Sequence, residues 1–136
     1  MSEPRDVDTA AVVRVAAFRA ALRSFLRTSE QTARASGLTP QRYLLLLMVK
    51  GAPDGSEQTT VTELATRLQL GQSTVTELVK RAERAGLIER ERSATDGRVA
   101  HVRLTVEGER RLARSFTALT EERRELRRIF AKLDRA

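Results

Sequence analysis

Cysteine is absent from the 136 residues, which excludes a disulfide framework, thiolate metal ligation and a thiol redox switch together. Any sensing must use other chemistry. Histidine occurs once, as His101, with no second ligand type at metal spacing. His101 therefore reads as a packing or surface residue, and no metal or cofactor is expected. No apolar run approaches the ~20 residues needed to span a bilayer, and the N-terminal stretch with Glu3, Arg5, Asp6 and Asp8 lacks the apolar segment of a secretory signal. A soluble, cytoplasmic chain with no membrane partner is expected. Internal repeats and low-complexity segments are also lacking. Glu121, Glu122 and Glu125 lie among arginines opposite an apolar stripe, the usual pattern of solvated, compensated charge rather than a catalytic pair. Nothing assembles a base, nucleophile or metal centre, so an enzyme is not expected.

What is present fits one domain, residues 1–136, long enough to bury a core without covalent staples. The net charge is +7, from 25 basic and 18 acidic side chains, and only Lys50, Lys80 and Lys132 among the basic ones are lysine. An excess of this sign favours a polyanionic partner. It is spread along the chain rather than gathered in a tail, so function has to be argued from arrangement.

Ala11, Val15, Phe18, Leu22 and Phe25 recur at helical spacing, flanked by Arg14, Arg19 and Arg23, and predict a long amphipathic first helix. It is expected to fray over the polar stretch Thr28 to Ser36 and to end near Gly37. Thr39 and Pro40 open a second helix, apolar all round from Tyr43 to Val49 and therefore buried on most sides. A loop follows over 51–59, with a short edge strand expected at Thr59, Thr60 and Val61. Thr62 is the expected cap of a short helix bearing Leu64, Ala65 and Leu68, ended by Leu70 and Gly71. Gln72 begins another, in which Val75, Leu78, Val79 and Ala82 form one stripe. From Ile88 the period changes to two, predicting a hairpin of Ile88 to Arg92 and Arg98 to Leu104 around Ser93-Ala94-Thr95-Asp96-Gly97. Thr105 caps the next helix, and Thr120 starts a last one with Leu126, Ile129, Phe130 and Leu133 on one face.

Two short helices joined by a tight turn and followed by a hairpin make a winged helix-turn-helix, whose second helix presents its outward residues to the major groove. With Val75, Leu78, Val79 and Ala82 inward, Ser73, Thr76, Glu77, Lys80 and Arg81 face out, and Gln72 and Thr74 stand near the helix start. Small hydroxyls there let free amides approach a phosphate, while the longer groups behind reach base edges. Glu77 has two readings, accepting from cytosine N4 or pairing with Lys80 or Arg81, and pairing is preferred. At the hairpin tip Arg98 is placed to enter a minor groove, with Asp96 orienting it. The plain alternative is a solvated turn, and only the preceding helix-turn-helix tips the balance. Tyr43, Phe18, Phe25 and Phe116 have two readings, a ligand pocket between the dimer helices and the DNA-binding lobe or plain core, and core is preferred for most of them.

The segments Val61-Thr62-Glu63-Leu64-Ala65, Ser73 to Arg81 and Gly86-Leu87-Ile88-Glu89-Arg90, with Asp96-Gly97-Arg98 and Leu104-Thr105-Val106-Glu107-Gly108, resemble the MarR family of winged-helix regulators over nearly the whole chain. The resemblance implies a mainly α fold with a small β-hairpin. A DNA-binding lobe at 39–104 would be flanked by dimerisation helices at 1–36 and 106–136. It implies a homodimer, with Val15, Phe18, Leu22, Leu126, Ile129, Phe130 and Leu133 at the interface. It implies a transcription regulator, a repressor by preference, on a pseudo-palindromic double-stranded operator, and often a small aromatic or anionic effector. Glu77 departs from the family, many members of which carry a basic side chain there. The rival reading is a winged-helix protein-interaction module without specific DNA binding.

Overall fold

Three threonines decide where helices begin. Thr39, Thr60 and Thr105 are extended, and their hydroxyls accept from the amides of Arg42, Glu63 and Gly108 at 3.1, 3.2 and 3.1 Å. Each hydroxyl satisfies one amide that the first helical turn leaves free. The computed structural model describes residues 6–92, 95, 97 and 99–133. They form helices α1 (Thr9–Ala35), α2 (Pro40–Lys50), α3 (Val61–Leu68), α4 (Gln72–Arg84), α5 (Val106–Ala118) and α6 (Thr120–Ala131). Three strands accompany them, β1 (Gln58–Thr59), β2 (Ile88–Arg92) and β3 (Ala100–Leu104).

Several local expectations shift. The cap of α3 is Thr60, not Thr62, so Val61 is already helical and the edge strand shortens to Gln58–Thr59. Glu63 turns away from the cap, and its carboxylate accepts instead from the buried Thr59 hydroxyl at 2.7 Å. The end of α3 lies at Gln69, in the left-handed region at φ 56°, ahead of Leu70 and Gly71. Residues 28–35 do not fray: α1 runs through them because Ala33 is fully buried there, and the helix ends at Ser36 and Gly37.

The hairpin belongs to a three-stranded antiparallel sheet in the order β1-β3-β2. Ile88 pairs with Leu104, Arg90 with Val102 and Arg92 with Ala100. Alternation therefore puts Ile88, Val102 and Leu104 on one face, where all three are buried. That face closes a core of Leu45, Leu46 and Val49 from α2, Leu64 from α3, Val75, Val79 and Ala82 from α4, and Leu87. α2 is central, in contact with α1, α3, α4, α5 and two strands. It is not buried all round, since Leu44 is 45% exposed.

α1 packs on α6 within one chain, with the Phe18 and Phe130 rings edge to face at 5.6 Å. Core was expected for most of the four aromatics, but only Tyr43 is there: Phe18 and Phe25 are half-buried and Phe116 is exposed, with the Arg123 guanidinium 3.9 Å from its ring centre. No described helix is long and apolar enough to cross a membrane. Among the described residues no cluster of His, Asp and Glu could hold a metal ion.

Candidate nucleic-acid interface

α4 has one buried side and one bare one. Val75, Val79 and Ala82 are completely buried, which fixes the rotation of the helix about its axis. Gln72, Ser73, Thr74, Glu77, Lys80 and Arg81 are thereby exposed, as the stripe predicts. Thr76 departs from the expectation and is half-buried. It stands seven positions before Glu83, hence on the same line of the helix. Gly71 precedes α4 without a side-chain cap, so the free amides of the first turn are left without a side-chain acceptor. Such an end attracts anions. Gln72 also ties the two helices, its amide donating to the Thr62 hydroxyl at 3.1 Å.

Glu77 pairs along the helix with Arg81, Nε to Oε1 3.7 Å, both well exposed. A shallow groove beside this pair is lined by Gln41, Ser73, Thr74, Glu77, Leu78 and Arg81. Gln41 was not foreseen, because nothing local says that the first turn of α2 stands next to α4. Asp96 and Arg98, the residues expected at the hairpin tip, lie outside the described residues.

Residues 36–99 match the family model described as the MarR family. Over those 64 of its 136 residues the chain is similar to the MarR family. Solved structures of similar fold include a MepR mutant from S. aureus bound to an oligodeoxyribonucleotide, at 21% identity and TM-score 0.65, covering 89% of this chain and 83% of that one. Sco3205 from Streptomyces coelicolor, in complex with DNA, is 23% identical at TM-score 0.67, over 93% and 78% of the two chains. Wild-type MarR from E. coli, in its apo form, is 17% identical at TM-score 0.67, over 90% and 84%. No curated protein matches the chain by sequence. The family is one of DNA-binding winged-helix transcription regulators, not of enzymes.

The strand pair β2 and β3 is tied to α4 and its exit by polar contacts that the sequence does not announce. Arg90 donates Nε to Glu83 Oε1 at 2.8 Å, with Nη2 2.7 Å from the same oxygen. Arg92 donates to the Gly97 carbonyl at 2.5 Å across the hairpin end. The Thr105 hydroxyl donates to the Gly86 carbonyl at 2.6 Å, pinning the exit of β3 to the exit of α4. On the opposite face of the sheet Arg103 bridges Glu89 at 2.8 Å and Glu91 at 3.3 Å. The only sequence signal for Arg90 and Arg92 is their even spacing from Ile88, which places them on the core face of β2.

Proposed function

We propose that this protein is a MarR family regulator, a homodimeric repressor of a pseudo-palindromic operator. α4 enters the major groove with Thr76, Lys80 and Arg81 toward bases, Gln72, Ser73 and Thr74 sit near phosphates, and Arg98, oriented by Asp96, enters the minor groove. The lobe 39–104 binds DNA, and the helices within 1–36 and 106–136 form the dimer. The observation that carries this reading is the one-sided burial of α4, which turns a polar, cationic face outward. The DNA-bound MepR and Sco3205 structures share the fold and support it.

A regulator needs an input, and a cleft of about 360 Å³ between α2 and α5 is walled by Leu47, Leu112, Ala113 and Phe116. Lys50 at its rim already holds Glu57 and Glu109 at 3.0 and 2.9 Å. The cleft therefore favours the aromatic over the anionic kind of effector. An effector acts only through unequal affinity for dimers that do and do not fit DNA, by changing the separation of the two recognition helices.

The test is a titration with duplexes selected from a random library. Arg81→Ala and Arg98→Ala, both folded, should each lose roughly five- to a hundredfold in affinity, the cost of one base or groove contact worth about 1–3 kcal/mol. Wild-type-like binding by both variants would remove these roles. Binding that is weak, indifferent to sequence and unaffected by either change would favour the protein-interaction module instead.

A further inference from the structure

We propose that Glu83 and Arg90 are positioning residues for DNA recognition, a clamp that sets the angle between α4 and the wing. The proposal rests on the reading that both elements engage DNA. Its starting point is an arginine on the wrong face of a strand. Ile88, Arg90 and Arg92 share the face of β2 that carries the core, and Arg90 is registered opposite the fully buried Val102. A residue there that served only solubility would belong on the other face, with Glu89 and Glu91. Arg90 instead lays its stem beside the core edge and delivers its guanidinium to α4.

Both arginine donors converge on Oε1 of Glu83, at 2.7 and 2.8 Å, and the two side chains are only 34% and 31% exposed. Partial burial strengthens the attraction and limits the screening that makes open surface pairs weak. The guanidinium is planar and its fork is preorganised, so the contact fixes direction as well as distance. Glu83 lies in the last turns of α4, on the same side as Thr76 and away from the exposed Glu77–Arg81 pair. The ion pair of the clamp involves neither Lys80 nor Arg81 nor the start of the helix, and of the proposed base-reading residues only Thr76 shares its line on α4. Arg92, two residues farther along β2, carries the connection on to Gly97 at the hairpin end. One row of side chains thus runs from the core through α4 to the tip of the wing.

Two elements that must meet neighbouring grooves at once bind best when their relative angle is set beforehand, because ordering them on binding costs affinity. Charge alone predicts the opposite sign for one variant, and this makes the proposal testable. Glu83→Ala removes a negative charge near a polyanion, so a purely electrostatic role predicts tighter binding to every duplex. A clamp predicts weaker binding to the selected operator.

The experiment titrates full-length protein against duplexes selected from a random library and against scrambled duplexes of the same length, over a series of salt concentrations. For Glu83→Ala the expected result is a loss of operator affinity of roughly three- to thirtyfold, the range for residues that act on binding from outside the contact. Scrambled-duplex affinity should stay equal or rise, so the preference collapses. The exchange Glu83→Arg with Arg90→Glu keeps the net charge and should recover most of the preference, while Arg90→Glu alone should not. Operator and scrambled affinities that rise together in Glu83→Ala, or an exchange no better than Arg90→Glu alone, would overturn the clamp. A wild-type protein without any operator preference would overturn the DNA reading itself and the clamp with it. Thermal melts of each variant separate loss of fold from loss of angle, and the exchange decides should Glu83→Ala be unfolded.

Discussion

A β-carbon at Gly108 would stand 2.1 Å from the Leu87 carbonyl oxygen and 3.1 Å from its carbon, because the first turn of α5 crosses the chain as it leaves α4. The Leu87 oxygen cannot retreat freely, since it accepts from the Thr105 amide at 3.0 Å. The Thr105 hydroxyl, donating to Gly86 O and accepting from Gly108 N, locks the same crossing from the other side. Gly86 is constrained differently: nothing lies within 4 Å of a β-carbon there, but its φ is +76°. Space and torsion can thus be told apart in one small region. Gly108→Ala should cost about 3 kcal/mol or more, at or above the usual range for forcing atoms into a packed site. Gly86→Ala should cost about 1–2 kcal/mol, the penalty of a left-handed residue with a β-carbon. Urea unfolding of the two variants checks the order. Equal losses would mean that the backbone crossing relaxes around the added methyl.

At the scale of the element, α5 begins with a compact charge cluster. Glu107, in its first turn, takes Arg110 at 2.7 Å and Arg111 at 2.8 Å, and Arg111 also donates to the Gly37 carbonyl at 3.1 Å, joining the start of α5 to the end of α1. Hydrogen bonds from Arg110 and then Arg111 hold the Glu107 carboxyl down to about 2, from an ordinary 4.5. The folded state therefore releases this proton more readily than the unfolded chain does. The stabilisation is complete above the unfolded value of 4.5 and is lost as pH falls toward 2. The stability difference between wild type and Glu107→Gln should accordingly be constant near neutrality and shrink steadily below pH ~4.5. A difference independent of pH in denaturant melts would show that the cluster adds nothing. The extent to which such elements were legible follows the reach of the forces behind them. The stripe of α4, the caps at Thr39 and Thr105 and the period of β2 depend on neighbours in sequence, and each stands where the pattern puts it. The true cap of α3 was displaced by two residues because Thr60 and Thr62 are chemically alike, and only the pairing of Thr59 with Val102 decides between them. Ala33 keeps α1 helical through a polar stretch by burial alone, which no local pattern reports. Glu83, Arg90 and Gln41 were invisible for the same reason: their meaning comes from which element lies opposite.

At the scale of the whole molecule, the two terminal stripes were expected to meet across a dimer, and the fold brings them together first within one chain. Phe18, Leu22, Leu126, Ile129 and Leu133 are half-buried there, while Val15 and Phe130 remain 53% and 57% exposed. Val12, Val13 and Leu26 are exposed on α1 as well. A hairpin of α1 and α6 thus satisfies one side of each stripe and leaves apolar surface on the other. Within the proposed homodimer that remainder is the interface, and a charge placed on it would be harmless in a lone chain. Val15→Glu should change the stability of a monomer by no more than about 0.5 kcal/mol, as usual for an exposed site. Buried and unpaired between two protomers, the same carboxylate costs several kcal/mol. Light scattering should therefore find wild type as a dimer and Val15→Glu as a folded monomer at micromolar concentration. The melting temperature should rise with concentration for wild type and stay level for the variant. Operator binding by the variant should fall to the strength of a single half-site, since the second recognition helix no longer arrives with the first. A Val15→Glu protein that stays dimeric and binds as wild type would place the interface elsewhere on α1 and α6, or show that the exposed valines serve another partner.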